Sequence, residues 1–165
     1  MEFRIRTARQ GDLEEVFRLE RTTPEAPHWS REEYAALIGP AVEGAVRRCL
    51  LVAEALEDGG PRDVVGFAVG KIIEVGTEPL GELESVLVAQ TFRRAGIGRA
   101  LCLGVLEWCR ERGSCSVELE VRSRNESART LYAALGFVEE GLRRGYYQDP
   151  PDDAVLMRME AGGRG

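Results

Sequence analysis

The chain has 165 residues, 44% of them hydrophobic, and a formal net charge of -6 from 22 Lys and Arg against 28 Asp and Glu. That length suits one domain with a real core, and the acidic balance excludes broad affinity for nucleic acid, whose backbone demands a basic face. Cys49, Cys102, Cys109 and Cys115 lack Cys-x-x-Cys spacing and the single histidine, His28, lies far from most of them, so buried free thiols are expected rather than a metal or disulfide framework.

The opening residues MEFRIRTARQGDLEE are charged throughout, and no later stretch reaches the length of a membrane span. This predicts a soluble, unprocessed cytoplasmic protein with no membrane partner. Phe3-Arg4-Ile5-Arg6 alternates as a first strand. Asp12 is expected to cap a helix through its side chain, with Glu15 completing the box and Leu13, Val16 and Phe17 forming the buried stripe. After a loop from Thr22 to Trp29, Ser30-Arg31-Glu32-Glu33 supplies a second capping box, for a helix that should stop at Gly39-Pro40. Trp29, just before that cap, either staples onto Tyr34 or faces a substrate.

An insertion-like segment from Gly39 to Arg48 leads into the apolar run Cys49 to Ala53, a strand. Asp58-Gly59-Gly60-Pro61 is dense turn chemistry, and Val64 to Glu74 reads as the hairpin partner, with Gly66 and Gly70 as candidate bulges. Thr77-Glu78-Pro79 makes the next turn. Acidic residues gather from Glu74 to Glu84 and again at Asp149, Asp152 and Asp153. These mark either a solvated hairpin and loop or a surface that attracts a basic peptide.

The stretch from Gly81 to Arg112 carries the strongest signal. Leu83, Val86, Leu87 and Val88 read as a strand entering a buried position, and Ile97, Leu101, Val105 and Trp108 recur at helical spacing. Between them, Arg93-Arg94-Ala95-Gly96-Ile97-Gly98-Arg99 is a turn that opens a helix and leaves backbone N–H groups free at its positive end. Such a turn suits an anion such as a phosphate. It is no P-loop, because Arg99-Ala100 follows Gly98, and no dinucleotide fingerprint, because Leu101 stands where a third glycine belongs.

From Cys115 to Val121 the alternation is clean: Cys115, Val117, Leu119 and Val121 share one face, and Ser116, Glu118 and Glu120 the other. Asn125 can cap a helix from Glu126 to Leu135, with Ala128, Leu131, Tyr132 and Leu135 on its apolar stripe and Gly136 as its stop. Phe137-Val138 begins a strand, a loop from Arg143 to Pro151 interrupts, and Val155 to Met159 is the last strand. The reading is a single domain over 1–160 with a disordered tail at 161–165. Its order, β-α-α-β-β-β-α-β-α-β-β, implies a mixed α/β sheet flanked by helices.

Arg93-x-x-Gly96-x-Gly98 resembles the (Gln/Arg)-x-x-Gly-x-(Gly/Ala) pyrophosphate loop of the GNAT family of N-acetyltransferases, and the element order resembles that fold over nearly the whole chain. The resemblance implies a central mixed seven-stranded sheet flanked by four helices, with acetyl-coenzyme A as cosubstrate and no metal. In that reading the backbone of Val86, Leu87 and Val88 holds the pantetheine arm and one N–H polarises the thioester carbonyl. Arg94, Ala95, Gly96, Ile97, Gly98 and Arg99 take the pyrophosphate. Asn125 matches a coenzyme contact of the family, although its capping role explains it equally well.

Leu119-Glu120-Val121-Arg122, Asn125, Leu131-Tyr132-x-x-Leu135-Gly136-Phe137, Arg143-Arg144-x-Tyr146-Tyr147 and Trp29-Ser30 together resemble the RimI-type branch, bacterial enzymes that acetylate the N-terminal alanine of a small-subunit ribosomal protein. This implies Glu120 as general base, directly or through water, and Tyr132 as the general acid for the departing thiolate. Trp29, Tyr146 and Tyr147 would border the acceptor. From the residues alone, Glu118 and Glu120 are equally two solvated carboxylates, Tyr132 a core residue, and Tyr146 and Tyr147 surface aromatics. A small amine or lysine acceptor, or a non-catalytic acyl-coenzyme A binding module, stays open beside the peptide reading.

Overall fold

The computed structural model describes residues 1–23, 29–38, 44–56, 62–76 and 78–160. The expected helix stop at Gly39-Pro40, the turn Asp58 to Pro61, Thr77 and the tail Ala161 to Gly165 lie outside the described residues, as does most of the loop before Trp29. Seven strands, β1 (Glu2–Thr7), β2 (Val46–Leu56), β3 (Val64–Val75), β4 (Glu78–Val88), β5 (Ser116–Arg122), β6 (Val138–Gln148) and β7 (Pro151–Glu160), form one sheet in the order β1-β2-β3-β4-β5-β7-β6. Four helices flank it: α1 (Leu13–Arg21), α2 (Arg31–Ala35), α3 (Ile97–Glu111) and α4 (Glu126–Leu135). The expected mixed sheet and helix count are both present. Every strand pair is antiparallel except β4 with β5. Among the described residues no helix is long and apolar enough to cross a membrane.

The two sheet faces carry separate cores. Alternation sends Cys49, Leu51, Ala53, Ala68, Ile72, Leu83, Val117, Leu119 and Val121 to one face, where Ile97, Leu101, Cys102, Val105 and Cys109 of α3 and Tyr132 of α4 cover them. Leu50, Val52, Phe67, Val69 and Leu87 point the other way, under Val16 and Leu19 of α1 and Tyr34 of α2. Gly66 and Gly70 let α3 sit close: a Cβ on Gly66 would stand 2.9 Å from the Leu87 carbonyl oxygen and 3.2 Å from Leu101, and one on Gly70 2.8 Å from Val105. The β2/β3 register shifts beside Gly66 and the β3/β4 register beside Gly70, where Glu84 is the extra residue. The bulge expected at Gly66 falls beside it on β3, whereas the one at Gly70 is on the partner strand, opposite the glycine; helix approach is the further reason for both glycines.

Ser30 caps α2 as expected. Its hydroxyl accepts from the Glu33 N–H at 3.1 Å and the Glu33 carboxylate accepts from the Ser30 N–H at 3.2 Å. The ring of Trp29 lies 5.5 Å from that of Tyr34, and Tyr34 meets Phe67 edge-on at 5.9 Å.

Four expectations need correction. Asp12 makes no side-chain cap on α1; its carboxylate accepts from Arg6 at 2.7 and 2.9 Å and from the Arg9 N–H at 2.7 Å, because a two-pronged guanidinium bond is stronger than a cap. The segment before β2 is shorter than expected, since Arg47 and Arg48 already belong to the strand. Cys115 precedes β5 and is exposed rather than sharing its apolar face. The loop from Arg143 to Pro151 is mostly strand: β6 runs to Gln148 with a register break between Arg143 and Tyr147, then turns through a cis Asp149–Pro150 bond into β7.

Candidate active site

β4 and β5 are register partners at only two positions, Gly81 with Val117 and Glu82 with Glu118. Beyond them β4 continues on β3 to Val88, and β5 continues on β7 to Arg122. The strands therefore part toward their C-terminal ends, and the edge of β4 that faces β5 at Val86, Leu87 and Val88 has no strand partner among the described residues. Peptide groups so placed bond to water or to a ligand, and an extended ligand on that edge would prolong the ladder as an added strand does.

The turn at the head of the parting is shaped for an anion. Arg94 (φ 66°) and Gly96 (φ 83°) are left-handed, a conformation that glycine adopts without cost. α3 then starts at Ile97 with no side-chain cap, so its first-turn N–H groups stay open at the positive end of a 15-residue helix. Beside them there is room, since a Cβ on Gly96 would meet nothing within 4 Å and one on Gly98 only Leu131 at 3.5 Å and Val88 at 3.8 Å. Arg93 Nε donates to the Val88 carbonyl at 3.3 Å, tying the turn to the end of β4. Arg94 and Arg99 are exposed.

Glu120 and Tyr132 lie on opposite faces of the sheet. Tyr132 lies in the core under α3 and α4 with Leu119 and Val121, its ring 5.9 Å from Phe137, so alternation directs Glu120 to the other face. Both lie within electrostatic reach of Tyr147. Burial holds the Tyr132 hydroxyl well above the ordinary tyrosine range, which keeps it a neutral proton donor.

Glu118 and Glu120 differ in their partners. Glu118 accepts from Arg158 at 3.0 Å. Glu120 has only Arg143 at 3.8 Å from Oε1, and its Oε2 is buried without a hydrogen-bond partner among the described residues. Glu118 is thus held by Arg158, whereas Glu120 keeps a buried oxygen without a hydrogen-bond partner among the described residues.

Tyr147 borders Glu120. Burial, then the neighbouring Glu120 charge, raise its hydroxyl above the ordinary range, against the pull of Arg122. Its ring stacks 4.2 Å from the Arg122 guanidinium and meets Tyr146 edge-on at 5.1 Å, while Arg143 lies over Tyr146. Trp29 shares the Glu120 side of the sheet but packs on Tyr34, and its backbone N–H donates to the buried Glu20 carboxylate at 3.2 Å; the staple is realised. Asn125 Oδ1 accepts from the Ala128 N–H at 3.1 Å, so its capping role is realised too.

Two residues escaped the sequence reading. Glu82 sat in the acidic run from Glu74 to Glu84, which proves to be cross-strand pairing: Glu74 with Arg47 at 2.8 Å, Glu84 with Arg48 at 3.1 Å and with Lys71 at 3.5 Å, Glu82 with Lys71 at 3.9 Å. Only the parallel pairing reveals that Glu82 stands beside Glu118 at the base of the parting. Arg122 belongs to the Leu119-Glu120-Val121-Arg122 motif, which by itself gives it no role, and it points from β5 on the same face as Glu120. The second acidic group is structural as well, with Asp152 accepting from the Arg124 N–H and Asp153 from the Gly145 N–H.

The family model described as Acetyltransferase (GNAT) family matches residues 12–137, which span the parting, the anion turn, Glu120 and Tyr132. The chain belongs to the GNAT family. Within it, this GNAT chain is 38% identical over 79 residues to the [ribosomal protein bS18]-alanine N-acetyltransferase of Escherichia coli, covering 47% of this chain and 53% of that one. It is 33% identical over 164 residues to an N-alpha-acetyltransferase of Sulfurisphaera tokodaii, covering 94% of this chain and 92% of that one. The crystal structure of the Escherichia coli ribosomal-protein-S18-alanine N-acetyltransferase superposes with a TM-score of 0.74 at 27% identity, over 99% of this chain and 97% of that one. By sequence, the chain spans about half the length, or less, of the first curated relatives it matches.

Proposed function

We propose that this GNAT protein transfers the acetyl group of acetyl-coenzyme A to the N-terminal α-amine of a peptide or protein. The acceptor that its relatives suggest is the terminal alanine of a small-subunit ribosomal protein. One observation carries the reading: beside the parting of the two strands, a carboxylate with a buried, unpartnered oxygen and a buried neutral tyrosine stand on opposite faces of the sheet, both within electrostatic reach of Tyr147.

The unpaired edge of β4 and the uncapped start of α3 fit an extended arm that ends in a pyrophosphate. Val86, Leu87 and Val88 would hold the arm, and residues 94–99 the phosphates, with Asn125 beside them. Acetyl-coenzyme A so held supplies the acetyl thioester. Glu120 takes one proton from the attacking amine, directly or through water, as nitrogen bonds to the thioester carbon. Tyr132 gives a proton to the sulfur as the carbon–sulfur bond breaks. An α-amine has a pKa near 8, so roughly a tenth is neutral at pH 7, whereas a lysine amine near 10.4 is almost wholly protonated. The α-amine therefore asks less of Glu120. Trp29, Tyr146 and Tyr147 would flank its approach, on the Glu120 side.

Release of free thiol from acetyl-coenzyme A tests this directly. Turnover with a peptide that begins Ala-Arg is expected. Turnover only with small amines or lysine would move the acceptor, and coenzyme binding without turnover on any amine would reduce the protein to a binding module.

A further inference from the structure

Two buried polar atoms lack a hydrogen-bond partner among the described residues, and they are complementary: Glu120 Oε2, an acceptor, and Arg122 Nε, a donor. They belong to alternate residues of β5, so both side chains leave the same face of the strand, about 6.6 Å apart along it. The rest of Arg122 is committed. Nη1 donates to the Pro150 carbonyl at 2.7 Å, Nη2 to the Asp149 carbonyl at 3.4 Å, and the guanidinium lies on the Tyr147 ring. These contacts fix the plane of the fork, and the Nε–H is its buried donor without a partner among the described residues. Buried groups of this kind are rarely left alone in a native structure.

Resting on the acceptor reading above, we infer that Glu120 and Arg122 form a two-point seat for the first residue of the acceptor, Glu120 taking the amine and Arg122 Nε–H donating to the first carbonyl oxygen. In an α-amino acid residue the amine nitrogen and that oxygen lie about 3 Å apart. Two hydrogen bonds of about 2.9 Å from such a pair span a width comparable with the spacing of alternate residues on one strand face, about 6.6 Å between Cα atoms. A lysine ε-amine or a simple alkylamine has no carbonyl at that distance and satisfies only Glu120. Arg122 is thus a specificity residue that distinguishes α-amines from other amines, independently of their pKa. Leaving a buried donor unpaired with the wrong acceptor is an effective way to discriminate.

The test compares Ala-Arg-amide with its analogue in which the first carbonyl is reduced to methylene, for the wild type, Arg122→Met and Arg122→Gln. Arg122→Met should lower kcat/KM at least tenfold more for the dipeptide than for the reduced analogue. Arg122→Gln loses the same turn contacts but keeps an N–H where Nε stood, and should retain most of the preference. Equal losses on both acceptors, as a bridging water or a purely structural role would give, overturn the seat, as does a Gln variant that falls with Met. A wild-type enzyme that acetylates neither compound, yet releases coenzyme A with other amines, overturns the acceptor reading itself.

Discussion

Glu82 and Glu118 stand opposite each other in the last register pair before β4 and β5 separate. Two carboxylates on neighbouring strands repel, and the structure divides them: Glu118 is bonded by Arg158 at 3.0 Å, while Glu82 is half-buried with Lys71 only within 3.9 Å. Burial first, then the charges of Glu84, Glu120 and Glu118, raise the Glu82 carboxyl above the ordinary range, against Lys71. Glu82 thereby adds negative field at the foot of the cleft that Glu120 enters.

Replacing Glu82 by Gln should therefore stabilise the protein at neutral pH. A carboxyl with a raised folded pKa causes no penalty below its unfolded value near 4.3, and the penalty grows as pH rises through the raised folded value. The gain at pH 7 should stay under about 1 kcal/mol because solvent screens the half-exposed group. Denaturant unfolding at pH 4 and pH 8 measures it, and a variant less stable than wild type at pH 8 would contradict the assignment.

Tyr132→Phe keeps the ring against Phe137 and deletes only the hydroxyl. Loss of a positioned acid should lower kcat by about a hundredfold or more, with the melting temperature and coenzyme affinity close to wild type. Full activity in this variant would return Tyr132 to the core. Glu120→Gln should behave likewise, its deficit shrinking as pH rises and more amine becomes neutral.

Gly66→Ala sets a methyl 2.9 Å from the Leu87 carbonyl oxygen, where backbone must move. Overpacking of this kind costs about 1–3 kcal/mol. Because the displaced oxygen belongs to β4, the KM for acetyl-coenzyme A should rise as well. A variant destabilised to that degree with an unchanged KM would separate β4 from coenzyme binding.

Arg6→Met removes the cation shared by Asp12 and Glu54, which Arg6 bonds at 2.7 Å each. Arg6 holds both carboxyls below the ordinary range, so their stabilisation is present above the unfolded pKa and lost as pH falls through the folded one. Breaking such a buried set costs about 3 kcal/mol. Urea unfolding should show that loss at pH 7 and a smaller one at pH 3; an equal loss at both would assign it to packing.

What was legible in the sequence was local. The Ser30 and Glu33 box, the Asn125 cap, the turn at Gly96 and the alternation of β5 each depend on neighbours within a few residues, and each is present. β6 was missed past Arg143 because it is an edge strand exposed on both faces, so no buried face imposes alternation on Arg143-Arg144-Gly145-Tyr146-Tyr147. Asp12 carries a cap's sequence signature, yet Arg6 on β1 claims its carboxylate. At the site, residue types were readable but their juxtaposition was not. That β5, which carries Glu120, runs beside β4 only at its start, and that Glu82 stands opposite Glu118 there, depends on a strand register between residues more than thirty positions apart.

The two register pairs between β4 and β5 join a four-stranded half of the sheet to a three-stranded half. So few backbone bonds cannot fix the angle between the halves. That task falls to the side chains beneath: Ile97 and Leu101 of α3 and Leu131 and Tyr132 of α4, packed with Val86, Val88, Leu119 and Val121. The opening is gauged by side-chain volume, so a methyl group added or removed in this layer, far from any reacting atom, is the means by which the width of the cleft can be tuned without altering its chemistry.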